Sequence, residues 1–256
     1  MSSSAYVKFV FCNNLKFEAI PHDIPLNAER LEVSFNNIRN VTYIPELPLL
    51  STLDLNFNHI EHMSWPALRV LPSLKYLTLG HNRLLHVKLD TVITDLPKLT
   101  FVDFSYNELV SVSPYEFGLP QVTNAIIHHN PYNCGCDMAW LIAKMACLES
   151  CKVEDKTCCS SCAACFLIDN QKREYLTCGT PRRLKMRPLS DVSHEISGCE
   201  KQGRPPEHVT GTYCACAKSI DMLNLAKPPV YSRAAFKKNE GNRISVSIIM
   251  PIPTEY

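Results

Sequence analysis

Glycine is scarce in this chain, 8 in 256 residues, and so are the motifs that glycine usually serves. No phosphate-cradling loop, nucleophile elbow or motif of paired carboxylates is present, so no catalytic constellation is read and the chain is expected not to be an enzyme. The net charge is only +1, which argues against general nucleic-acid binding. No apolar run reaches the ~18 residues of a membrane span. The apolar stretch 244–253 is too short, with Arg243 before it and Pro251 inside it. The opening Met1-Ser2-Ser3-Ser4 supplies neither a basic segment nor an apolar one, so no signal peptide is read there.

What the chain does have is a recurring block, L-x-x-L-x-L-x-x-N-x-L, spaced 22 to 25 residues apart. Five copies are clear: Ala28 to Ile38, Leu50 to Ile60, Leu74 to Leu84, Leu99 to Leu109 and Val122 to Tyr132. A weak sixth runs from Val7 to Leu15. Alternating pairs such as Leu53 and Leu55, Leu77 and Leu79, or Val102 and Phe104 suit a short strand with one face buried. The asparagines Asn36, Asn58, Asn82, Asn107 and Asn130 have side chains able to satisfy backbone groups where the chain turns. One block cannot bury its apolar face alone, so successive blocks are expected to stack into a coil with a shared core.

With its Leu71-Pro72-Ser73-Leu74 and Leu96-Pro97-Lys98-Leu99 junctions, this period resembles the leucine-rich repeat in its short extracellular variant. The segments Cys134-Gly135-Cys136, Trp140-Leu141, Cys178-Gly179-Thr180-Pro181-Arg182-Arg183-Leu184, Leu189 and Cys199 resemble the cysteine-rich C-terminal flanking cap of Slit-, Toll- and matrix-type leucine-rich repeat domains. The resemblance implies that Cys134 pairs with Cys178 and Cys136 with Cys199. It also implies that Trp140 and Leu141 begin a helix sealing the last coil. Val10-Phe11-Cys12, Leu15, Ile20-Pro21 and Ile24-Pro25 resemble the last part of an N-terminal flanking cap. Cys12 would be its final cysteine, left without a partner, and the chain is expected to begin inside that cap.

Thirteen cysteines suit an oxidising compartment. Six of them, Cys147, Cys151, Cys158, Cys159, Cys162 and Cys165, form an insertion in the cap at 147–165, read as local bridges in a protruding loop. The spacing Cys159-x-x-Cys162-x-x-Cys165 leaves a second reading, a zinc or iron–sulfur site in a reduced protein. The sequon Asn40-Val41-Thr42 marks Asn40 as a glycosylation site on a secreted chain.

A strand alternates its side chains, so the residues flanking each buried pair form columns across the coils. The columns read Arg30, Thr52, Tyr76, Phe101, Asn124; then Glu32, Asp54, Thr78, Asp103, Ile126; then Ser34, Asn56, Gly80, Ser105, His128; then Phe35, Phe57, His81, Tyr106, His129. Tyr76, Phe101 and Tyr106 beside Asp54 and Asp103 compose the candidate binding patch, with the aromatic character of interface hot spots. Phe35 and Phe57 are read as packing partly into the coil edge. His81 and His129 lie too far apart to share an ion. Arg182, Arg183, Lys185 and Arg187 form a basic ribbon that is either a solvated cap face or a contact for polyanions.

The expected architecture is therefore an α/β repeat. It is a leucine-rich repeat solenoid with short parallel strands on the concave face, an irregular convex side and a small disulfide-bonded helical C-terminal cap. The divisions are 1–25 (partial N-terminal cap), 26–130 (repeats), 131–199 (C-terminal cap) and 200–256 (an unassigned tail). The function read is recognition of an extracellular or cell-surface protein through the concave face, with no cofactor or metal. An intracellular scaffold with zinc in the 147–165 cluster, and a fragment of a larger receptor, are the alternatives.

Overall fold

We describe the chain from a computed structural model, over residues 8–150, 160–167, 176–196, 199 and 245–248. Five short parallel strands carry the five clear blocks: β2 (Ala28–Glu32), β4 (Thr52–Asp54), β6 (Tyr76–Thr78), β7 (Phe101–Asp103) and β8 (Asn124–Ile126). The weak sixth block contributes β1 (Lys8–Phe11), parallel to β2 with a register shift after Lys8. The register matches the columns predicted from the sequence: Arg30 pairs with Thr52, Thr52 with Tyr76, Tyr76 with Phe101, and Phe101 with Asn124. Each of these five repeat strands buries the residue of one register row, Leu31, Leu53, Leu77, Val102 and Ala125.

The asparagines hold the coils together. In each repeat the Asn Nδ2 donates to a carbonyl of the preceding coil and to carbonyls of its own. For Asn82 these are Leu55 O at 3.0 Å, Leu79 O at 3.0 Å and Gly80 O at 3.2 Å. The Oδ1 atoms accept from the preceding coil, Ile60 N to Asn82 at 2.9 Å and Leu84 N to Asn107 at 2.9 Å. Asn36, Asn58, Asn107 and Asn130 reach back in the same way, to the carbonyls of Cys12, Val33, Leu79 and Phe104. All five asparagines are buried, so the sequence retains a polar residue where only a side chain can satisfy the turned backbone.

The other sides of each coil are irregular. β3 (Asn40–Val41) and β5 (His62–Met63) form a small parallel pair, and short 3₁₀ turns cover Trp65–Val70, Leu89–Thr91 and Ile93–Asp95. The Leu-Pro-x-Leu junctions close tight turns, Leu74 N to Leu71 O and Leu99 N to Leu96 O, both at 3.0 Å. Proline suits the second position of such a turn because its φ is already set. Trp65 is buried with its edge on the Phe104 ring, 6.0 Å between centroids, and Phe104 stacks on Phe117.

The C-terminal end closes with disulfides. Cys134 is joined to Cys178 and Cys136 to Cys199, the pairing the resemblance implies. β9 (Tyr132–Asn133) pairs with β10 (Cys178–Thr180). Gly179 passes so close to Pro131 that a Cβ there would fall 2.6 Å from its carbonyl carbon. The helix α1 (Ala139–Ser150) starts where expected and buries Leu141, Ile142, Met145 and Leu148. Trp140 donates from Nε1 to Val112 O at 2.6 Å and stacks on Phe166.

Two findings differ from the sequence reading. The cysteine insertion does not simply protrude: residues Cys165–Leu167 form a 3₁₀ turn against β8, with Ala164, Phe166 and Leu167 buried. Its apolar residues give that segment a face to bury, which a solvated loop would lack. The second difference is in the tail, where β11 (Ser245–Ile248) lies antiparallel to β1 and extends the main sheet to seven strands.

Candidate functional site

Tyr76 and Phe101 are register partners on adjacent strands, with ring centroids 5.9 Å apart. Both are partly buried. Lys75 sets its ammonium over the Tyr76 ring at 5.1 Å. In the neighbouring column Asp54 pairs with Thr78, and Thr78 with Asp103. Asp54 Oδ1 accepts the Asn56 amide and the Thr78 hydroxyl, each at 2.9 Å. Asp103 Oδ1 accepts the Ser105 amide at 2.9 Å and its hydroxyl at 2.6 Å. Burial lifts both carboxyls above their ordinary range, against the lowering effect of those hydrogen bonds.

At the first coil the same column carries Glu32, held by Arg30 at 2.7 Å and by Asn13 at 2.9 Å. Gly80 sits between Asn56 and Ser105 in the next column, and its amide donates to Asn56 Oδ1 at 2.6 Å. A Cβ on Gly80 would meet Asn56 Oδ1 and Ser105 Oγ at 3.2 Å, so neighbouring side chains already occupy that space.

Tyr106 is not beside Tyr76 and Phe101. It lies in the fourth column, where Phe35, Phe57, His81, Tyr106 and His129 form one continuous stack, with centroid spacings of 4.3, 4.1, 4.0 and 4.0 Å. Every residue of this stack has a positive φ, between 53° and 57°, a conformation uncommon for bulky side chains. The sequence reading of Phe35 and Phe57 as edge-packed holds only in part: each stacks on its neighbour, yet they remain 55% and 40% exposed. The stack escaped sequence reasoning because ring orientation depends on that left-handed backbone, although the aromatic recurrence itself was visible. Below it, His128 and His129 bring their Nδ1 atoms within 2.8 Å.

Cys147 is joined to Cys162 and Cys165 is also disulfide-bonded, so these three sulfurs are not available as thiolate ligands. Among the described residues no three His, Cys, Asp or Glu gather as a metal site. Cys151, Cys158 and Cys159 lie outside the described residues. Cys12 is free and buried, with its thiol pushed up to about 11 by that burial. In the basic ribbon Arg183 and Arg187 both bind Glu195, and Arg187 also reaches Asp191 O at 3.1 Å. Arg182 and Lys185 stay exposed. Asn40 is exposed on β3, outside the seven-stranded sheet.

Parallel short strands, an asparagine ladder and a fixed period carry their counterpart in a known family: the leucine rich repeat family model matches residues 27–84. The coils are leucine-rich repeats. Leucine-rich repeat and fibronectin type III domain-containing protein 1 of rat and of human is 30% identical over 104 residues, covering 37% of this chain and 13% of that protein. Human podocan-like protein 1 is 28% identical over 130 residues, 48% of this chain and 24% of that protein. The chain thus spans a quarter or less of these relatives' length. Among solved structures, the mouse RP105/MD-1 complex aligns with a TM-score of 0.47 at 19% identity, over 65% of this chain and 25% of that one. A leucine-rich repeat domain is in general a protein-interaction module, and no helix among the described residues is long and apolar enough to cross a membrane.

Proposed function

We propose that this solenoid recognises an extracellular or cell-surface protein through the outer face of its parallel sheet, with the Tyr76–Phe101 ring pair at the centre of the contact. The observation that carries the reading is that pair's position. Nothing in the repeat requires aromatic residues in that column, where Arg30, Thr52 and Asn124 stand on the other coils. Aromatic residues in partly desolvated positions are the common anchors of protein interfaces. Asp54 and Asp103 flank the pair. Tyr106 contributes from the edge, through the stacked column.

The disulfides support an oxidising compartment, since such bonds rarely persist in the cytosol. In that setting Asn40 would carry a glycan without covering the main sheet. Arg182 and Lys185 are the members of the basic ribbon left to meet a polyanion.

A binding screen of the folded chain against cell-surface and matrix proteins identifies the partner. Tyr76→Ala with Phe101→Ala is then expected to weaken it by about 2 kcal/mol or more, with the unfolding midpoint little changed. Undiminished binding by this variant would overturn the assignment of the face.

A further inference from the structure

Phe35, Phe57, His81, Tyr106 and His129 lie face to face along one edge of the sheet, each ring within 14° of parallel to the next. Stacking covers the faces of the inner rings, so what they turn outward is their edge, the positively polarised part of an aromatic ring. Phe35 and Phe57 are exposed, and the other three are half-buried.

At neutral pH the charges around this ladder are mostly acidic. Asp103 acts on His81. Two residues beyond the ladder, His59, Arg83 and Glu108 form the adjoining column, their amides donating to Ile38 O, Ile60 O and Leu84 O of the coil before. Arg83 is paired with Glu61. The inserted turn Cys165–Leu167 against β8 brings no ionisable group, since Cys165 is disulfide-bonded.

Acid reverses this balance. Imidazoles take up protons as pH falls through about 6.5, and His59, His81, His128 and His129 place four of them here. The 2.8 Å contact between the Nδ1 atoms of His128 and His129 needs one of those nitrogens bare, so while it lasts that pair carries one charge at most. An imidazolium at His81 or His129 lies on a face of Tyr106, the negative side of that ring, so protonation does not drive the ladder apart. With Arg83 offsetting Glu61, the imidazolium charges then outnumber Glu108 and Asp103. An edge that repels a carboxylate becomes one that attracts it, and Phe35 and Phe57 give an apolar residue of the same ligand a place to pack. We propose that this edge is an acid-dependent docking site, which holds an acidic segment of a protein partner below about pH 6.5 and releases it at neutrality.

The site goes beyond the Tyr76–Phe101 face, and its test is separate. Random peptides are panned against the intact chain at pH 5.5, and those lost with Phe57→Asn but kept with Tyr76→Ala and Phe101→Ala are assigned to the edge. Asn suits that place, because Asn14 has the same left-handed backbone with φ 56° and donates its amide to the next coil as Phe57 does. The edge peptides are expected to be enriched in aspartate and glutamate and to bind about tenfold or more tighter at pH 5.5 than at pH 7.5. His81→Phe with His129→Phe should abolish that gain while the unfolding midpoint holds, since phenyl rings already stand in this ladder at the same φ.

Edge peptides without acidic enrichment, with equal affinity at the two pH values, or with the gain intact in the double Phe variant overturn the proposal. So does the absence of any edge peptide. A sulfated oligosaccharide that binds the edge more tightly than the peptides makes it a polyanion site and overturns the protein-partner assignment. None of these outcomes touches the Tyr76–Phe101 reading, which stands or falls on its own variant.

Discussion

At the scale of single residues, the asparagine ladder concentrates the most hydrogen bonds on the fewest atoms. Removing the Asn82 side chain orphans the buried Ile60 amide and takes one of two asparagine donors from each of the Leu55 and Leu79 carbonyls, which keep Asn58 and Asn107. Asn82→Ala is expected to cost about 3 kcal/mol, the scale of leaving buried polar groups unpaired. Asn37→Ala, on an exposed side chain of the first coil, should stay within about 0.5 kcal/mol; denaturant unfolding of the two variants checks the difference.

The acids behave oppositely. Because burial raises the Asp54 and Asp103 values above 3.8, their contribution to stability is fully present below that value and is lost as pH rises through the raised ones. Asp54→Asn with Asp103→Asn keeps the accepting oxygens and discards the charges. It should therefore melt no lower than the parent at neutral pH and show a flatter decline between about pH 4 and neutrality, read from thermal melts across that range. The ladder positions were legible in the sequence because an Asn at a fixed place in an apolar block has few other uses. The hydrogen-bonded carboxylates and the ring stack were not, since both depend on which way side chains turn on the folded face.

At the scale of elements, the cap depends on close backbone approach as well as on sulfur. β10 can lie beside β9 only because Gly179 has no side chain to strike Pro131. Gly179→Ala is expected to push the two apart and lower stability by about 2 kcal/mol, within the range of forced overpacking. Limited proteolysis should then cut within 176–199 before it cuts the coils. The Cys-Gly-Thr-Pro run made the cap legible, because cysteine spacing, glycine and the helix start all agree. The placement of the 147–165 insertion was not legible: six cysteines allow 15 pairings, and nothing local says that Cys165–Leu167 packs on β8.

At the scale of the whole molecule, the two ends of the sheet are closed by different means. The last strand has the cap and the inserted 3₁₀ turn beside it; the first, β1, has β11 from far along the chain. Its partner's distance in sequence explains why the tail showed no assignable pattern, although Ser245–Ile248 alternates polar and apolar residues. Ending the chain at residue 200 is expected to bare the β1 edge and promote edge-to-edge association, which light scattering against concentration would detect. A truncated chain that stays monomeric at all concentrations would show that β11 is not what protects that edge. The placement of the two tryptophans has an optical consequence. Trp65 lies among the coils against Phe104, and Trp140 lies in the cap against Phe166, so each part carries one tryptophan. Under excitation selective for tryptophan, Trp65→Phe leaves emission from the cap alone and Trp140→Phe from the coils alone. Superimposed emission transitions from the two variants mean that cap and solenoid melt as one cooperative body; separated transitions time the loss of each.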